Sequence, residues 1–288
     1  MMFIFAADHR EGLKSAIFKT KKELNKKQIQ QMHEFKEMIL ESFIDASKDK
    51  IMNPYACLLM DEHYGEVQLK KAKKLGLNII IPVEKSGVDT FEFEYKKNFK
   101  EHIKKFNPKY VKILIHFNPA NTKDNKKSVR NIKILNEYIK KTKSKLLIEL
   151  LIKPTKKELK RYGQKKFDMN IRPGLTIDSI HMFNSAGIYP EIWKLEGFEK
   201  EEDLAIVAFA TGSAKIVILG RSESMDKVLK WIKIGAKNKK VCGFAVGRTI
   251  FLDALKKYYH KKISRDRAIT IMAERYQIIA DSYLKAKL

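Results

Sequence analysis

Cysteine is almost absent, with only Cys57 and Cys242 in 288 residues, and neither belongs to a C-x-x-C pair or to a run with metal-ligand spacing. That excludes a disulfide framework and leaves two buried free thiols in a reducing compartment as the expectation. No apolar run approaches the ~18 residues of a membrane span. The opening Met1-Met2-Phe3-Ile4-Phe5-Ala6-Ala7-Asp8 lacks a basic n-region and is too short in apolar residues for a signal peptide. A cytoplasmic protein with no membrane partner is expected. No Pro/Gly/Ser-rich linker interrupts the chain, and glycine and proline number only 13 and 7. One domain over residues 1–288 is therefore expected, with 44% hydrophobic residues to build its core.

Acidic residues are outnumbered, 34 against 59 basic ones, which leaves a net charge of +25. Such an excess ordinarily suggests nucleic acid or an acidic membrane. Arginine is scarce, however: nine of the 59, the rest being lysines spread along the whole chain in pairs such as Lys26-Lys27, Lys73-Lys74 and Lys239-Lys240. A lysine-rich solvated surface explains this without a dedicated polyanion site, so a nucleic-acid partner is disfavoured. Association into a homo-oligomer stays open.

What is present is a repeat of short runs rich in Ile, Val, Leu and Phe separated by lysine-rich amphipathic segments. Strands are expected at 3–7, 56–60, 79–83, 111–117, 146–152, 191–195, 215–219 and 241–246. Helical spacing covers 26–46, 123–140, 175–186, 199–210 and 225–236, with Gly76, Gly187 and Gly235 as helix stops. The chain continues through 250–259 to a final helix at 265–286, capped by Ser264. Eight βα units favour an α/β fold, a single (β/α)8 TIM barrel with an extra C-terminal helix. A doubly wound dinucleotide fold would need a glycine fingerprint after the first strand, and Asp8-His9-Arg10-Glu11-Gly12 holds no G-x-G.

In a barrel, residues at the C-terminal strand ends carry the chemistry. Here those ends are unusually polar: Asp8, His9 and Arg10; Asp61, Glu62 and His63; Glu84, Lys85 and Ser86; Lys112 and His116; Glu149; Lys194 and Glu196; Gly220-Arg221; Gly247-Arg248. An ionised side chain in a barrel strand is costly unless paired or used. Alternation puts Lys194 and Glu196 on one face of their strand. An amine in a barrel mouth beside other cations has its neutral form favoured, as a carbinolamine-forming nucleophile requires, and an ion pair with Glu196 is the structural alternative. Lys112 shares a face with Leu114 and His116 and either supplies that second cation or snorkels to the barrel floor. Glu149, alone among Leu146–Ile152, is the partner of a buried cation or a general acid/base with a raised pKa. Arg221 and Arg248 follow glycines at the ends of strands seven and eight, where barrels build phosphate sites. His9, His63 and His116 keep a metal-dependent enzyme open as an alternative, but without H-x-H or H-E-x-x-H spacing the expectation is no metal and no cofactor.

The stretches Phe5-Ala6-Ala7-Asp8-His9-Arg10, Met60-Asp61-Glu62-His63-Tyr64-Gly65, Pro82-Val83-Glu84-Lys85-Ser86-Gly87, Trp193-Lys194-Leu195-Glu196-Gly197, Ile218-Leu219-Gly220-Arg221 and Gly243-Phe244-Ala245-Val246-Gly247-Arg248-Thr249 run nearly the length of the chain. Together they resemble the 2-deoxy-5-keto-gluconate 6-phosphate aldolase family of myo-inositol catabolism, often fused to a sugar kinase. More distantly the chain is similar to class I tagatose-bisphosphate aldolases. The resemblance implies a lyase of carbohydrate metabolism that cleaves a keto-sugar phosphate to dihydroxyacetone phosphate and an aldehyde, malonic semialdehyde in the inositol pathway. It also implies Lys194 as the Schiff-base lysine, Glu149 as the strand-five acid/base and Lys112 as the strand-four lysine. Asp8 and Asp61 match its acidic positions, and Arg10, Glu196, Gly220, Arg221, Gly247 and Arg248 are the expected substrate and phosphate contacts. The competing class is a non-catalytic basic barrel that binds a polyanion through its surface.

Overall fold

The computed structural model describes residues 1–48 and 53–287. Strands β1 (Met2–Ala7), β2 (Ala56–Met60), β3 (Asn78–Pro82), β4 (Tyr110–Phe117), β5 (Lys145–Ile152), β6 (Ile192–Glu196), β7 (Lys215–Leu219) and β8 (Val241–Val246) are parallel and close into a barrel in sequence order. The helices in chain order are α1 (Glu11–Phe18), α2 (Lys26–Ala46), α3 (Glu62–Lys74), α4 (Phe99–Phe106), α5 (Thr122–Ile139), α6 (Lys156–Lys166), α7 (Arg172–Ser185), α8 (Glu201–Ala210), α9 (Met225–Lys237), α10 (Arg248–Tyr259) and α11 (Arg265–Lys287). This is a (β/α)8 barrel with one added C-terminal helix. Among the described residues no helix is long and apolar enough to cross a membrane.

Alternation along the strands divides the core in two. Phe3, Phe5, Leu58, Ile148, Leu150, Trp193, Leu195 and Ile218 face outward and pack beneath the helices. Met2, Ile4, Ala6, Cys57, Leu59, Ile80, Leu147, Ile192, Val217 and Ala245 fill the barrel interior. That apolar plug makes the lower barrel a solid floor, so polar residues one or two positions further along the strands are lifted to the C-terminal mouth.

Local chemistry sets the ends of the elements. Asn25 and Gln28 cap α2 reciprocally, as Thr155 and Glu158 cap α6. Ser264 Oγ accepts from Arg267 N at 3.2 Å at the start of α11, as expected. Tyr276 and Tyr283 of α11 donate to the carbonyls of Phe3 and Val241, tying that helix to the barrel. Gly76 and Gly187 adopt φ of 72° and 75° after their helices. Gly235 departs from the helix-stop expectation, because α9 runs on to Lys237. A Cβ there would lie 2.9 Å from Ile218 Cγ1, so glycine serves close approach of helix to strand.

Candidate active site

The mouth is assembled by strand register. Leu114 on β4 lies opposite Glu149 on β5, and Glu149 opposite Lys194 on β6. Lys112, two residues before Leu114, shares its inward face. Glu149 Oε2 accepts from Lys194 Nζ at 2.9 Å and lies 3.0 Å from Lys112 Nζ. Lys112 Nζ also donates to Asp8 Oδ2 at 2.7 Å and to Glu84 Oε1 at 2.6 Å. Lys112 and Lys194 are 1% and 3% exposed, Glu84 and Glu149 each 7%, so these charges have left bulk water. Mutual pairing of two ammonium groups with three carboxylates is what makes such burial tolerable.

Pairing also sets the protonation states. Burial pushes the Glu149 carboxyl up, but Lys112 and Lys194 outweigh it and hold the group below the usual carboxylate range. Of the two readings the sequence left open for Glu149, the geometry favours the partner of buried cations, its carboxylate bridging Lys112 and Lys194. Burial likewise raises Asp8, yet Lys112, Lys194 and His9 pull it far below its ordinary value. Lys112 is opposed by burial but driven well above its ordinary value by Asp8, Glu149 and Glu84. It points into the mouth, not to the floor, and three carboxylates answer its charge. Glu84 differs from its neighbours: burial raises it, Lys112 offsets part of that, and Asp8 adds to the rise. His9 is pushed down to about 3 by burial against the pull of Asp8, so its ring is neutral near pH 7.

Around this centre the mouth is lined by Asp8, Arg10, Lys112, Glu149, Lys194, Gly220, Arg221, Gly247 and Arg248 from the expected set. Arg248 stands at the first turn of α10, whose N-terminus has no side-chain cap. Among the described residues its guanidinium makes no ion pair, and its Nε is buried without a partner. Gly247 admits no side chain, since a Cβ would fall 2.0 Å from the Ala6 carbonyl oxygen. Gly220 opens a tight turn with Arg221 and Ser222 at φ of 49° and 61°, closed by Glu223 N to Gly220 O at 2.9 Å. Two non-glycine residues with positive φ side by side mark local strain at the rim.

Several expected residues are placed differently. Arg221 is engaged by Asp168 at 2.9 Å and Glu196 at 3.1 Å, so its fork is already occupied by carboxylates. Glu196 lies outside the lining of the mouth, taking Arg221 and the Ile152 N–H, the latter at 3.2 Å, and does not pair with Lys194. Asp61 is also outside it: fully buried, it caps α3 by accepting from Tyr64 N at 3.0 Å and pairs with Lys36 Nζ at 2.5 Å. Arg10 faces the mouth but donates to Glu94 and to the Glu84 carbonyl, each at 2.7 Å. His9 and His116 line the mouth, while His63 packs on the Tyr64 ring. Among the described residues no three His, Cys, Asp or Glu side chains converge as a metal site.

Two contributors escaped the site reading. Glu84 was visible only as one of three polar residues ending β3, with nothing to mark it as a contact of Lys112. Lys36, fully buried behind Asp61, is one more lysine in a lysine-rich chain.

Fold and mouth together define a closed (β/α)8 barrel with a buried lysine–carboxylate cluster at its C-terminal end. The chain belongs to the family described as uncharacterized protein conserved in bacteria (DUF2090), whose profile matches residues 1–287. No curated protein matches it. Among solved structures it is similar to a Schiff-base-forming fructose-1,6-bisphosphate aldolase, at 12% identity, TM-score 0.60, over 97% of this chain and 93% of that one. An archaeal fructose 1,6-bisphosphate aldolase gives 11% identity and TM-score 0.60 over 99% and 94%. Cgl0159 of Corynebacterium glutamicum gives 12% and 0.58 over 96% and 85%. At such identities the likeness is one of fold.

Proposed function

We propose that this protein is a cytoplasmic class I aldolase that cleaves a phosphorylated keto-sugar through a Schiff base on Lys194. The observation that carries the reading is the buried Lys194–Glu149–Lys112 chain in the barrel mouth, beside Arg248, which has no carboxylate partner among the described residues. A primary amine reacts with a ketone only when neutral, and Glu149 Oε2, 2.9 Å away, is placed to take its proton. Addition and loss of water give an iminium. The C–C bond then breaks as a carboxylate removes the hydroxyl proton next to it, with the bonding electrons drawn into the iminium to leave an enamine. Asp8 and Glu149 are the ionised carboxylates in reach of that hydroxyl. Arg248 and the free N–H groups at the start of α10 hold the phosphate of the dihydroxyacetone phosphate half, and neither a metal nor a cofactor is required by this chemistry.

The finer reading, supported by the long motifs of the sequence, takes 2-deoxy-5-keto-gluconate 6-phosphate as substrate and malonic semialdehyde as the second product, within inositol catabolism. Release of dihydroxyacetone phosphate from that compound, from tagatose 1,6-bisphosphate and from fructose 1,6-bisphosphate tests both levels. The reading requires turnover that survives chelation and is abolished in Lys194→Arg, whose guanidinium is no nucleophile near neutral pH. Turnover lost on chelation, or retained in that variant, contradicts it.

A further inference from the structure

Glu84 is built into the mouth with more care than a bystander needs. Its backbone is clamped in a short antiparallel ribbon, bridged to Phe93, with Lys85 N donating to Glu92 O at 2.8 Å and Glu94 N to Val83 O at 3.0 Å. Arg10 locks the same ribbon by gripping the Glu84 carbonyl and the Glu94 carboxylate. This leaves the two carboxylate oxygens unequal. Oε1 takes Lys112 Nζ at 2.6 Å, whereas Oε2, on a side chain that lines the mouth, is buried and has no partner among the described residues. A buried acceptor without a partner is costly, a cost relieved once the oxygen carries a proton or meets a substrate hydroxyl.

Hydrogen-bond distances also connect Glu84 to the nucleophile without a gap: Lys194 to Glu149 at 2.9 Å, Glu149 to Lys112 at 3.0 Å, Lys112 to Glu84 at 2.6 Å. We propose that Glu84 is the proton donor of imine formation, receiving through this chain the proton that Lys194 must lose and returning it to the departing hydroxyl. The proposal rests on the aldolase reading above. Lys194 gives one proton to Glu149 as Lys112 takes that proton and passes one of its own to Glu84. The net result is a neutral Lys194 amine and a protonated Glu84, with Glu149 still an anion and Lys112 still a cation. The amine adds to the substrate ketone, and an N-to-O proton shift gives the neutral carbinolamine. Its C–O bond then breaks with the Glu84 proton, releasing water and leaving the iminium. Ammonium plus ketone has become iminium plus water, with charge and hydrogens conserved. Burial and the nearby Asp8 carboxylate raise the Glu84 pKa, so it holds the proton more readily than Glu149 or Asp8. Arg10 is then a positioning residue for Glu84 and not a substrate contact.

The test is the rate at which dihydroxyacetone phosphate becomes trappable by borohydride on the whole protein, sampled by rapid quench across pH. Folding of each variant is checked by its melting temperature. Glu84→Gln keeps an acceptor for Lys112 but cannot deliver a proton, and should slow trapping by roughly 10²- to 10⁴-fold. It should also erase the rise in rate that wild type shows as pH climbs through the Glu84 pKa, where that carboxylate becomes able to accept the Lys194 proton. Glu84→Asp, which keeps a carboxyl, should retain that limb. A Gln variant that traps at the wild-type rate, or traps slowly with the wild-type pH profile, overturns the assignment. If the Gln variant does not fold, a folded Asp variant without that acid limb overturns it equally. Wild type that yields no adduct at all is a different result, which removes the aldolase reading itself.

Discussion

Replacing Arg248 by lysine keeps the formal charge and removes only the planar fork, so it isolates what the guanidinium does. In the structure that fork faces the mouth with no carboxylate within 4.0 Å among the described residues, next to a glycine and the uncapped N-terminus of α10. A phosphate there gains a bidentate contact that a lysine, as a point donor, reduces to one. Loss of one charge-assisted hydrogen bond of about 1.5–3 kcal/mol corresponds to a fall in kcat/KM of about 10- to 150-fold. Where phosphate binding positions the keto carbon over Lys194, kcat falls too. Arg221→Lys is the control. Its guanidinium is held by Asp168 and Glu196, so that change should lower the melting temperature more than it raises KM. The assay compares each variant on a phosphorylated keto-sugar and on its unphosphorylated analogue. An equal penalty on both substrates in Arg248→Lys, or a larger phosphate-specific loss in Arg221→Lys, refutes the reasoning.

Glu149→Gln leaves a hydrogen-bond acceptor near both lysines but no base, and kcat should fall by about 10²- to 10⁴-fold, read in steady-state cleavage. Asp61→Asn breaks a fully buried pair with Lys36 and should cost about 3–5 kcal/mol in denaturant unfolding while KM is unchanged. Glu62 is raised by burial, but His102, whose Nε2 lies 3.1 Å from Glu62 Oε2, with Tyr95, brings it from 4.5 to about 2. A carboxylate lowered in the folded state stabilises above pH 4.5 and loses that contribution as pH falls toward 2, roughly 3 kcal/mol at 1.36 kcal/mol per unit. Glu62→Gln should therefore flatten the acid limb of a melting-temperature profile, and an unchanged limb would place that sensitivity elsewhere.

The barrel was legible because its strands are buried on both faces and so read as continuous apolar runs. β2, β7 and β8 begin and end where those runs do. β6 slid by one residue, from 191–195 to Ile192–Glu196, because Glu191 lies at the edge of the run and Glu196 looks like loop while ending the strand. Glu149 stood out for the same reason: a lone carboxylate in an apolar strand has few readings. Its protonation state did not, since that depends on lysines from β4 and β6 whose distances only the register settles. Arg221 and Arg248 look alike in sequence, each after a glycine at a strand end. Asp168, from the segment between α6 and α7, separates them by occupying one and not the other. Lys36 and Asp61 were opaque because a lysine on an amphipathic helix gives no sign of being buried.

The central claim is that Lys194 forms the covalent intermediate, and peptide mapping of the borohydride-reduced adduct measures it directly. Protein incubated with dihydroxyacetone phosphate and borohydride should carry one reduced triose-phosphate adduct, on the peptide containing Trp193-Lys194-Leu195. Label on the peptide of Lys85 or Lys112, or scattered over the surface lysines with Lys194 unmodified, would contradict the account.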